Sequence, residues 1–141
     1  MLQEWQNSAR PSLSLDISHR NRSGSCRDYT LLIAVENRSA KTIRNYCVDA
    51  LFPTPFIPNI SHARHIQGDG WPGFQRYRVT SDNSPVGPLY PGPPVQVLSF
   101  GYYINEDNPA HQSELHQEAV VRLFADDQQV DEIRKPISEL M

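Results

Sequence analysis

A chain of 141 residues has the size of one domain and is too short for two ordinary ones. Its 38% hydrophobic content is modest, and 12 prolines with 21% charged residues argue for turns and edge strands over long helices. A formal net charge of −3 excludes a global attraction to nucleic acid or an anionic membrane, and no apolar run approaches the ~20 residues of a membrane span.

Residues 1–11 are polar, with Trp5 the only large apolar group after Leu2, and read as a linker or lead-in to a domain over 12–141. Neither a basic start nor an apolar stretch follows Met1, so no signal peptide is expected. Cys26 and Cys47 are too few for a disulfide framework and read as free thiols of a reducing, cytoplasmic compartment. The charge is uneven: residues 1–80 sum to +4 and residues 81–141 to −7. Pairing of the two halves across strands is the expected outcome.

From residue 12 the pattern has period two. Leu13, Leu15 and Ile17 alternate with Ser14, Asp16 and Ser18, which places three aliphatics on one face of a strand. Residues 19–28 hold Asn, Ser, Gly and three arginines and read as a loop. Residues 29–36 are apolar on both faces, as a central strand should be. A turn over 37–42 leads to a third strand over 43–52, with Tyr46, Val48, Ala50 and Phe52 on one face, stopped by Pro53 and Pro55. Residues 53–72 form a long Pro/Gly-rich connection. A short exposed strand over 74–80, a proline-rich turn over 81–94, a fifth strand over 95–104 and a polar loop over 105–117 follow. The chain closes as a hairpin, with strands at 119–125 and 129–137. Seven short strands without a helical period predict an all-β, immunoglobulin-like antiparallel sandwich.

Val35-Glu36-Asn37, the strand ending at Phe52-Pro53, Tyr90-Pro91-Gly92 ahead of Val95 and the closing hairpin fall in an order that resembles the immunoglobulin-like accessory domains of large bacterial proteins, the fibronectin-like and CARDB-like kind. The resemblance spans residues 12–137 as a pattern and departs from it in the long insert at 53–72. It implies a spacer or recognition module. No Cys–Trp–Cys core is present, so an antibody-type domain is not implied.

Catalytic chemistry finds little footing. His62 and His65, and His111 and His116, are suggestively spaced, but neither pair sits beside a cysteine, and surface histidines are expected in place of a metal site. Residues 105–108 lack the acidic spacing and glycine of a calcium loop. The glycines at 68, 70 and 73 precede no lysine and no helix, so no phosphate loop is read. No Gly-x-Ser-x-Gly elbow is present. Arg76 and Arg78 alternate with Phe74 and Tyr77, which charge on an edge strand explains as well as base stacking. No cofactor is expected.

One constellation remains. If the strands run up and down in order, the loops at 19–28, 53–73 and 105–117 share one end of the sandwich. That end collects Arg20, Arg22, Arg27, His62, Arg64, His65, Trp71 and His111, residue types that make contact hot spots. The expectation is a non-catalytic recognition or accessory module that binds a partner protein or positions a neighbouring domain. The alternatives are a subunit that assembles through sheet edges and, behind it, a metal-dependent enzyme using the histidine-rich end.

Overall fold

In the second strand, Leu31, Ile33 and Val35 are buried while Leu32, Ala34 and Glu36 are half-buried, the period-two signature of a pleat with one face on a core. The computed structural model describes residues 10–53, 56, 59–61, 64–66 and 73–141, with 59–61 and 64–66 described by their backbone. Of the expected lead-in at 1–11, residues 1–9 lie outside the described residues. The strands are β1 (Ser12–Ser23), β2 (Cys26–Glu36), β3 (Tyr46–Pro53), β4 (Asn59–Ser61), β5 (Arg64–Ile66), β6 (Phe74–Thr80), β7 (Val95–Asn105), β8 (Glu118–Ala125) and β9 (Gln128–Pro136). A short helix, α1 (Pro109–Ser113), and a 3₁₀ turn (Ile137–Glu139) complete the elements.

Two antiparallel sheets pack face to face, ordered β1-β2-β7-β4 and β5-β6-β3-β8-β9. β3 pairs with β8 and β2 with β7, so each sheet is woven from distant parts of the chain, the immunoglobulin-like interleaving. The seven strands expected from the sequence are β1, β2, β3, β6, β7, β8 and β9, and β6 occupies its expected residues. The core is aromatic at its centre. Phe52 of one sheet stacks on Phe100 of the other at 5.0 Å, Tyr102 lies 5.7 Å from Phe52, and Tyr29 stacks on Tyr102 at 5.5 Å.

Four sequence expectations need correction. Residues 19–28 are a hairpin, not a loop: β1 and β2 pair without interruption from Arg20↔Tyr29 to Ser23↔Cys26. Gly24 supplies the positive φ of 62° at the first position of a two-residue Gly-Ser turn. The connection at 53–72 is not wholly irregular. It adds β4 to the edge of β7 and β5 to the edge of β6, so one insert extends both sheets. β6 is therefore no edge strand, and Arg76 and Arg78 do not guard an edge. The third strand begins at Tyr46, because Ile43 is held apart in an isolated bridge to Leu89.

At that turn end, Asn37 is buried, and its side-chain amide donates to Lys41 O (2.7 Å) and Leu89 O (2.8 Å). Its Oδ1 accepts from the Ser39 amide at 3.0 Å and from the Ser39 hydroxyl at 2.7 Å. The Val-x-Asn turn is thus a structural clamp. Across the molecule, β1 and β9 meet, and the Leu13 amide donates to Asp131 Oδ2 at 2.7 Å. No helix among the described residues is long and apolar enough to cross a membrane.

Candidate functional site

The hairpin of β1 and β2 runs past the end of the core. Within β1 the register slips between Ile17 and His19, so that Ile17 opposes Leu31 and Arg20 opposes Tyr29. This bulge reverses the parity of the strand. Odd positions up to Ile17 share a face with the core residues Leu31 and Tyr29; beyond the slip, the even positions Arg20 and Arg22 do. Arg22 opposes Arg27, which follows Tyr29 and Leu31 on the same face of β2. Three arginines from two strands thereby share this face below the last buried aromatic rings, Arg20 and Arg22 exposed and Arg27 half-buried. The Leu/Ser alternation of 13–18 gives no hint of it, because the parity change is set by pairing with β2.

Glu106, just beyond β7, ties the arginines together. Its Oε2 accepts from Arg22 Nη2 at 3.0 Å, its other oxygen pairs with Arg27, and its backbone amide donates to Ser25 O at 2.8 Å. Arg22 Nε donates to Gly24 O at 3.2 Å, which fixes the guanidinium plane. Contact with Tyr29, and then with Glu106, raises the Arg27 pKa above its already high value. Arg20 Nη2 reaches Met141 O at 3.4 Å. Arg20, Asn21, Arg22, Arg27, Tyr29 and Met141 line an open cleft of about 480 Å³. A second cavity of about 380 Å³ shares Arg27 and Met141 and is completed by Ile104, Glu106, Gln112 and Leu115. Below it the chain is pinned where the Tyr102 hydroxyl donates to Leu140 O. Burial raises the Tyr102 pKa, so this hydroxyl stays a donor.

His111 was expected on the surface of this end and is instead buried, with 3% exposure. It sits in α1, whose N-terminus is capped by Asn108 accepting from the Ala110 amide at 2.9 Å. The His111 ring packs 5.2 Å from Phe56 and 5.5 Å from Tyr103, and its Nδ1 accepts from the Asn105 amide at 2.9 Å. A pattern that places a helix turn over an apolar floor would have revealed it, but the surrounding sequence is polar. Arg64 and His65 lie in β5, their backbones opposite Arg78 and Tyr77 of β6. His62 and Trp71 lie outside the described residues. The structure therefore unites Arg20, Arg22 and Arg27 in one cleft, puts His111 inside, and adds Glu106 and Tyr29, which no local sequence pattern singles out.

No protein-family model matches the chain, and no curated protein matches it. Solved structures with a related outline include a cohesin module of a family 33 glycoside hydrolase from Clostridium perfringens (12% identity, 90% of this chain and 94% of that one, TM-score 0.45). Another is ChBD3 from Thermococcus kodakarensis (14% identity, 91% of this chain and 100% of that one, TM-score 0.43). A third is the GH20 exo β-N-acetylglucosaminidase of Vibrio harveyi (12% identity, 90% of this chain, TM-score 0.44), of whose chain this one spans 18%. At such identities and TM-scores these likenesses assign neither a family nor an activity.

Proposed function

We propose that the chain is a non-catalytic β-sandwich accessory module, of the immunoglobulin-like and fibronectin-like kind, that binds a partner protein or positions a neighbouring domain through the end formed by the β1–β2 hairpin and the 105–117 segment. The observation that carries the reading is the arginine cleft. Two strands of a rigid sandwich present Arg20, Arg22 and Arg27 on one face, and Glu106 fixes two of them. Ordered side chains on a stiff frame lose little conformational freedom on contact, which favours recognition. Arg64, His65, His62 and Trp71 belong to the proposed contact surface as well, whereas His111 serves it from beneath. Half-buried Cys26 and Cys47 are both free thiols, which suits a reducing compartment.

The test is affinity capture from native cell extract with the tagged chain, comparing wild type with Arg20→Gln/Arg22→Gln. A partner captured by wild type and lost by the variant supports the reading. A partner retained by both moves the contact surface elsewhere. Capture of nothing by either overturns the binding role.

A further inference from the structure

We propose that the arginine cleft is a binding site for a phosphate dianion, either free or as a monoester. The inference rests on the reading of this end as the contact surface and names the chemistry it takes. Three guanidinium groups face one carboxylate there, so the side chains leave a positive excess in a space of about 480 Å³. Each guanidinium carries five N–H donors in a planar fork, and the contacts to Glu106, Gly24, Tyr29 and Met141 use a minority of them. Arg27 Nε and Glu106 Oε1, one from each side of that ion pair, are both buried without a hydrogen-bond partner among the described residues.

Charge and geometry select the ligand class. A single carboxylate already bridges Arg22 and Arg27 in the form of Glu106. What remains is Arg20 and the remaining donors of Arg22 and Arg27, which line the cleft from two strands. A tetrahedral group with three acceptor oxygens and nearly two negative charges satisfies such a set better than a planar monoanion. The tyrosine ring and Met141 give the flank an apolar wall. The second cavity, joined through Arg27 and Met141, gives room for what a monoester carries.

The test is isothermal titration of the full chain at constant ionic strength with inorganic phosphate, O-phosphoserine and acetate. Saturable binding of phosphate or phosphoserine at least tenfold tighter than acetate is expected. Phosphate alone would identify free phosphate as the source, and tighter phosphoserine a monoester. Arg20→Gln, whose side chain reaches Met141 O at the rim, should weaken binding at least fivefold while leaving the thermal midpoint unchanged. Arg20→Gln/Arg22→Gln should abolish it. Acetate binding as tightly as phosphate, no saturable heat at millimolar phosphate, or equal affinity in Arg20→Gln overturns the proposal. If phosphate fails while the double variant still loses its captured partner, the accessory-module reading stands and only this inference falls.

Discussion

Asp49 lies on the outer face of the five-stranded sheet with 2% exposure, gripped by Arg78 (Nε–Oδ1 2.8 Å, Nη2–Oδ2 3.1 Å) and by Arg76. Burial alone would raise its pKa. Hydrogen bonds from Arg78 and Arg76 outweigh burial and hold the carboxyl below its ordinary value. Because the folded value is the lower one, its stabilisation is complete above the unfolded aspartate pKa of about 3.9 and is lost as pH falls through the folded value. Asp49→Asn should therefore cost about 2 kcal/mol at pH 7 and much less near pH 2, measured by urea unfolding at both. Equal losses at both would remove the charge from the explanation. Next to it, burial and then the Asp49 charge push the Cys47 thiol up to about 11. At pH 8 iodoacetamide should modify Cys47 slowly in the folded chain and readily in urea; equal rates would show an accessible thiolate. Asn37→Ala should cost about 2 kcal/mol in the same assay, since it removes the donations to Lys41 O and Leu89 O and takes away the acceptor of the Ser39 amide. The sequence identified Asn37 as part of a turn and Asp49 as facing away from Tyr46 and Val48. It could not assign their partners, because Leu89 is 52 residues from Asn37 and Arg78 is 29 from Asp49.

Strands were legible where burial and period agreed. β2, β6 and β8 alternate or run apolar and were placed within a few residues of their observed bounds. The far half of β1 was missed because its residues are polar, and its order comes from the Gly24 turn, the pairing with β2 and the Glu106 tie. β4 and β5 have three residues each and exist through the edges they extend, which no local pattern announces. The β8–β9 connection shows the reverse case, a turn found in the right place with one unfavourable residue in it. Asp126 and Asp127 both have positive φ, 52° and 64°, between the paired Ala125 and Gln128. Asp suits the first central position of such a tight hairpin, whereas the second favours Gly. Asp127→Gly should therefore stabilise the domain by about 0.5–1 kcal/mol, read as a rise of ~2 °C in Tm. A fall in Tm would mean that the aspartate side chain supports the turn.

At the scale of the whole molecule, an all-β sandwich followed from strand count and turn chemistry, whereas its wiring did not. Which strand neighbours which is decided by pairings such as β3 with β8, between residues some 70–80 apart, and by one side-chain bond between sheets. That bond, Leu13 N to Asp131, joins the first strand to the last. Asp131→Ala should cost about 1 kcal/mol and speed proteolysis within β1, measured by limited digestion of the folded chain. Unchanged digestion would mean that packing alone holds the strand. The same seam has a mechanical consequence. β1 starts at the Asn37 end and β9 finishes at the arginine end, so the two run side by side in the same direction. Tension applied between Ser12 and Met141 would slide these strands along one another and load their contacts together, in shear, instead of peeling them apart one by one.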